Sequence, residues 1–187
     1  MNEQVRIRPA PTDFAFDAFT SDDFLQMMEL GAFEDMRAEL VGGVIEKMTP
    51  ADGEHGTHNF QVAFKIAKAL GDDAPIAIDL AVVIDGKTVR GIDIALGRGA
   101  IRRKTKGSDL LLAVEIADTT LGRDLGAKAV DYSRAGIETY WVVDLNSRVV
   151  HVMAQPGEEG YAERGIVRFG EPLAVPGADA TIVIGEA

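Results

Sequence analysis

The chain contains no cysteine, which excludes disulfides, cysteine-ligated zinc, iron–sulfur clusters and thiol nucleophiles. Histidine is nearly as scarce, with three residues, so carboxylates are the main remaining candidates for metal ligands. Long hydrophobic runs are missing too: none approaches the roughly 20 apolar residues that cross a bilayer, and the N-terminus, MNEQVRIRPAPTDFAFDAF, lacks the apolar core of a signal peptide. A cytoplasmic protein with no membrane partner is therefore expected. Positive charge is also in short supply. Nineteen Lys and Arg face 30 Asp and Glu, a net charge of −11, which argues against a surface that binds nucleic acid broadly.

Of the 187 residues, 47% are hydrophobic and 26% charged, a composition suited to one domain with a sizeable core around a central sheet. Residues 1–19 hold Pro9 and Pro11 without periodicity and read as an N-terminal arm; residues 20–153 read as the core and 154–187 as further strands. Thr20 with Asp23 is a capping signal, followed by a helix with Phe24, Met27 and Met28 on its core face and a stop at Gly31. AELVGGVIEKM reads as a hairpin about Gly42-Gly43, and IAIDLAVVID with KTVRGIDIAL as a second about Asp85-Gly86. Between them, HGTHNFQVAFKIAKALG has the spacing of an amphipathic helix, with Phe60, Ala63, Phe64, Ala67 and Leu70 as its apolar stripe. His55 and His58 stand at its start, where two histidines three apart either ligate a metal or cap and pack; His58 is the candidate substrate contact of the pair.

The stretch from Leu110 to Asp144 reads as strand, helix, strand: LLLAVEIA, a helix from about Gly122 to Ala135 closed by Gly136, then TYWVVDL. A hairpin about Asn146 and short strands broken by Pro172 and Pro176 follow. Asp79, Asp85, Asp144 and His151 are assigned to turns or sheet edges. The pattern implies an α/β fold with a mixed central sheet flanked by helices and extra antiparallel strands at the C-terminus.

Two carboxylates interrupt apolar strands. Asp93 lies between Ile92 and Ile94, and Glu115 lies inside LLLAVEIA; a buried carboxylate needs a partner. On neighbouring strands roughly 4.8 Å apart the two could share one divalent cation, Mg²⁺ or Mn²⁺, that keeps waters and accepts phosphate oxygens. A nearby lysine would stabilise charge on the phosphate. The position two residues after the glutamate is Ala117, so Lys128 on the following helix is the candidate, with a surface ion pair to Asp124 at i, i+4 as the alternative. One loop, RGAIRRKTK, concentrates Arg102, Arg103 and Lys104, which either contact substrate phosphates or form a solvated basic connection.

ELVGGVIEKMTP, Glu54-His55-Gly56, IDIAL, LLAVEI, RDLGAKAVDYSRAGI and TYWVVDL, in this order and spacing, resemble the Uma-two family of restriction endonucleases, a branch of the PD-(D/E)XK nuclease superfamily. The resemblance spans about Thr20 to Met153. It implies a restriction-endonuclease-like core and Mg²⁺-dependent hydrolysis of DNA, with Asp93 as the family's motif aspartate, Glu115 as its strand glutamate and Lys128 as its helix-borne lysine. Tyr132 falls on a family aromatic position. Glu39 matches the glutamate opening the first hairpin, where it either adds a carboxylate to the metal site or is a solvated edge residue. Ile92 replaces the family's proline, and Asp118-Thr119-Thr120 replaces its Ser-Pro-Ser. The expectation is a homodimeric Mg²⁺-dependent DNA endonuclease. The rivals are a non-catalytic dimeric binding module on the same fold and a hydrolase of a small nucleotide.

Overall fold

The computed structural model of the protein describes residues 18–48, 53–102 and 104–185; most of the expected arm, residues 49–52 and Arg103 lie outside them. Turn chemistry sets the first hairpin. Gly42 and Gly43, at φ +58° and +83°, join β1 (Arg37–Val41) to β2 (Val44–Met48), the left-handed pair that a tight hairpin turn requires. The second hairpin turns one residue later than expected. Gly86-Lys87 links β3 (Ile76–Asp85) to β4 (Thr88–Gly97), because the Lys87 N–H donates to Asp85 Oδ1 at 2.8 Å and keeps Asp85 on the strand.

Helix α1 (Ser21–Glu29) begins at the expected capping box: the Asp23 N–H donates to Thr20 Oγ1 at 3.2 Å and the Thr20 N–H to Asp23 Oδ2 at 3.0 Å. Its buried face carries Phe24 and Leu25, while Met28 is exposed, so the expected methionine pair does not form the core contact. Helix α2 (Gly53–Leu70) shows a larger correction. Val62, Ala63 and Ile66 are buried against the sheet, whereas Phe60 and Phe64 remain 62% and 55% exposed, their rings stacked 5.9 Å apart. Two apolar stripes at helical spacing exist on this segment, and the one with β-branched residues packs on the sheet.

The main sheet runs β2-β1-β4-β5-β6-β7-β8, with β3 on the far edge of β4. Strand β5 (Leu110–Ala117) is parallel to β6 (Thr139–Asp144), and a continuous helix, α3 (residues 121–134), joins them as expected. Antiparallel β7 (Val149–Ala154) and β8 (Glu163–Arg168) extend the sheet, and β9 (Pro172–Ala174) pairs β10 (Thr181–Val183) separately. The tail is not only an extension: Leu173, Val175, Ile182 and Ile184 are buried with Val62, Ile66 and Trp141 under α2. The opposite layer, under α3, contains Ile92, Tyr132, Tyr140 and Tyr161. Helices thus cover both faces, as the mixed α/β reading requires. Asp144 caps the β6–β7 turn, accepting from the Asn146 and Ser147 N–H groups at 3.0 Å. No helix among the described residues is long and apolar enough to cross a membrane.

The two faces of α2 differ enough to test. Ile66→Ala should lower the stability measured by urea denaturation by about 2–5 kcal/mol, whereas Phe60→Ser should change it by less than about 1 kcal/mol; equal losses would contradict the observed face.

Candidate active site

A gap in strand pairing creates the site. Strand β4 has β3 along one edge; its other edge is shared by β1, paired at Val89, and β5, paired from Ile94 onward. Residues 90–93 therefore face neither. Beyond Val114, β5 pairs only with β6. Backbone groups left inside such a gap must find side-chain partners. The Gly91 N–H donates to Glu39 Oε1 at 3.0 Å, Lys128 Nζ donates to the Gly91 carbonyl at 3.1 Å, and the Ile116 N–H donates to Asp93 Oδ2 at 2.9 Å. The alternation of faces slips here as well: Ile92 packs under α3 and Ile94 under α2, with Asp93 between them and, across on β3, Asp79 held at φ +55°.

Helix α3 delivers Lys128. It starts α-helical (Leu121–Arg123), opens into a π-helical turn (Asp124–Lys128) and closes α-helical (Ala129–Arg134). The Tyr140 hydroxyl donates to the Asp124 carbonyl within this turn at 3.0 Å. Lys128 is 2% exposed, with Nζ 2.9 Å from Glu115 Oε2 and 3.4 Å from Glu39 Oε1. A surface pair with Asp124 does not form. Asp124 is itself 1% exposed and accepts from the Thr120 hydroxyl.

The two strand carboxylates are tuned in opposite directions. Burial pushes the Glu115 carboxyl up to about 8 against the pull of the Lys128 ammonium, and the charges of Asp93 and Asp124 add to the rise. The Tyr132 hydroxyl donates to Glu115 Oε1 at 2.6 Å. At Asp93 burial also pushes upward, but the His55 ring 3.3 Å from Oδ2, the Ile116 N–H and the Lys128 charge hold the carboxyl below its ordinary value. Glu39 is no solvated edge residue. It is buried, Oε2 accepts from Arg90 Nη1 at 2.9 Å, Oε1 takes Gly91 and faces Lys128, and these donors hold its carboxyl low despite burial. Arg90 bonds Asp131 on α3 as well, which ties the helix to β1 and β4.

Glu39, Asp93, Glu115 and Lys128 line a cleft of about 510 Å³ that also presents Arg37, Lys47, His55, Arg123 and Asn146. The candidates from the basic loop are elsewhere. Arg102 and Lys104 do not line the cleft, Lys104 pairs with Asp22 at 2.9 Å, and Arg103 lies outside the described residues. His55, not His58, is the helix histidine at the site. Spacing could not choose between them, since either satisfies the same helical start. Arg37, Lys47 and Arg123 gave no signal in the sequence, because each is an isolated cation on a different element.

The family comparison bears on what this cleft is. The sequence profile of Uma2, described as "Putative restriction endonuclease", matches residues 21–182. The chain belongs to the Uma2 family. Among solved structures, the Uma2 chain is similar to one described as a "putative nuclease" from Anabaena variabilis, at 18% identity and a TM-score of 0.66, covering 84% of this chain and 89% of that one. This likeness shows a shared fold. Among curated proteins none matches.

The raised Glu115 carboxyl gives this Uma2 protein a pH signature. A carboxyl raised from about 4.5 when unfolded to about 8 when folded contributes stability that is complete below the lower value and is lost as pH rises through the upper one. In chelator, the urea midpoint of the wild type should therefore fall from pH 5 to 8 more steeply than that of Glu115→Gln. Parallel curves would contradict the assignment.

Proposed function

We propose that this protein is a Mg²⁺- or Mn²⁺-dependent endonuclease that hydrolyses phosphodiester bonds of DNA. The observation that carries the reading is the convergence of Asp93, Glu115 and the Lys128 ammonium, 2.9 Å from Glu115, at the floor of one cleft in a Uma2 chain. The residues fit the ion. Two buried carboxylates whose charges oppose one another, one of them raised to about 8, are a pair that a divalent cation would hold ionised together. Among the described residues no three His, Asp or Glu side chains gather to hold a metal alone, so water and substrate oxygens would complete the shell, as Mg²⁺ prefers.

Asp93 and Glu115 would hold the ion. When bound, it would supply Lewis-acid stabilisation and an activated water. The chain's own residues do the rest. Lys128, kept charged by Glu115 and Glu39 although burial opposes its charge, supplies a fixed cation for the charge that develops on the phosphate. Tyr132 and Lys128 fix the Glu115 rotamer, one on each oxygen. His55 and the Ile116 N–H fix Asp93. Glu39 has both oxygens engaged by donors and serves as the second counter-ion of Lys128.

Plasmid nicking tests the reading. With Mn²⁺, Asp93→Asn and Glu115→Ala should reduce nicking to background, and Lys128→Met should lower it about 10²–10³-fold. Nicking at the wild-type rate by purified Glu115→Ala would sink the assignment. A second reading, hydrolysis of a small nucleotide, draws on the net charge of −11 and the modest cleft, and a nucleotide-hydrolysis screen separates the two.

Cleavage of both strands by a one-site domain calls for two copies, and we propose a homodimer formed at β8. The outer edge of β8 has no strand partner among the described residues. An antiparallel pairing of two β8 strands that sets Gly165 opposite the partner's Ile166 also sets Glu163 opposite the partner's Arg168, a favourable charge match. Sedimentation should show a dimer at micromolar concentration, weakened by Ile166→Lys; a monomer throughout would overturn it.

A further inference from the structure

The cleft carries more positive charge than hydrolysis uses, and its cations sort by what already holds them. Lys128 is bound by Glu115 and Glu39. Arg37 is bound by Asp79 and stands 3.8 Å from Asp93, and His55 lies against Asp93. Arg123 differs. Its hydrogen bond goes to a thioether, Nη1 donating to Met48 Sδ at 3.4 Å, which is a weak acceptor. Its Nε is buried without a hydrogen-bond partner, 3.8 Å from Asp124 Oδ1, and that aspartate's other oxygen is taken by Thr120. The side chain is 34% exposed and lines the cleft. A guanidinium offers five donors in a planar fork, so Arg123 lines the cleft that holds Asp93 and Glu115 with most of its donors unspent. Lys47, exposed on β2 and lining the same cleft, has no ion-pair partner among the described residues.

We propose that Arg123, with Lys47, grips a phosphate group of the substrate at the rim of this cleft, as substrate-positioning residues distinct from the hydrolytic floor. The inference rests on the nuclease reading and deepens it. Asp93, Glu115 and Asp118 make the floor and lip acidic, so a phosphate-bearing chain needs fixed cations at the wall to enter. Two parallel N–H groups of a guanidinium match two oxygens of a phosphate, which the thioether does not. The grip and the hydrolytic lysine share one element: Arg123 is the last residue before the π-helical turn that carries Lys128. The basic loop is no substitute, because Arg98, Arg102, Lys104 and Lys106 do not line the cleft.

Binding without metal tests this independently of cleavage. The full chain in chelator is titrated into a fluorescent single-stranded oligonucleotide, a duplex and a fluorescent mononucleotide, following anisotropy at several salt concentrations. Arg123→Gln should weaken binding about tenfold and lower the slope of log affinity against log salt by about 0.7 for the single strand or about 0.9 for the duplex. Arg123→Lys should restore the slope but only part of the affinity, since it keeps the charge and loses the fork. A loss with the oligonucleotides assigns the phosphate to a nucleic-acid strand, and a loss confined to the mononucleotide assigns it to a small substrate. Arg123→Gln that keeps the wild-type urea midpoint, affinity and salt slope overturns the inference and leaves the nuclease reading standing. A wild type that binds none of the three probes overturns both. If Arg123→Gln does not fold, Lys47→Gln on the exposed hairpin decides: a comparable loss of slope supports the grip, and an unchanged slope overturns it.

Discussion

One buried ammonium holds this site together. Lys128 Nζ meets Glu115 on β5, Glu39 on β1 and the Gly91 carbonyl on β4, joining from the helix three strands that do not pair with one another at this point. Each charge alone would be costly to bury; together they satisfy one another and the backbone of the gap. Arg90 repeats the device from the strand side, joining Glu39 on β1 to Asp131 on α3. Apolar side chains could fill such a gap as stably. Charged ones leave carboxylate oxygens at the floor of an open cleft, and that is what makes the gap a site.

The gap itself follows from sheet geometry. Strand β4 is long enough to pair with β1 at its start and β5 at its end, and the two partners part around residues 90–93. Asp93 sits where the alternation of faces slips, opposite a non-glycine residue at positive φ, and irregular backbone of this kind recurs at functional sites. Lys128 closes a π-helical turn, another such irregularity. Both departures from regular structure lie at residues of the candidate site.

The acidic balance of the chain and the proposed phosphate-bearing substrate are reconciled by where charge is spent. Arg98 and Lys104 of the basic loop are paired with acidic neighbours, while at the cleft, among the described residues, Lys47 has no ion-pair partner and Arg123 has only the 3.8 Å approach of its Nε to Asp124, its one side-chain hydrogen bond going to a thioether. Net charge sums over the surface and carries no information about location. An argument from −11 alone therefore weighs against nucleic acid more heavily than the cleft does.

What the sequence determined by itself was local or strongly patterned. The glycine hairpin, the capping box of α1, the strand, helix, strand unit and the nearness of Asp93 to Glu115, which line one cleft, were all legible, because turn chemistry and periodicity act between near neighbours. A buried carboxylate in an apolar strand also announces itself. Tertiary structure alone decided the rest. Which stripe of α2 is buried, which of His55 and His58 meets Asp93, whether Glu39 is solvated and whether Lys128 turns to Asp124 or Glu115 depend on how β1, β4 and β5 share an edge. So does the placing of Arg123 and Lys47 in one cleft. Those choices are made by contacts between residues tens of positions apart, and no local preference distinguishes the alternatives.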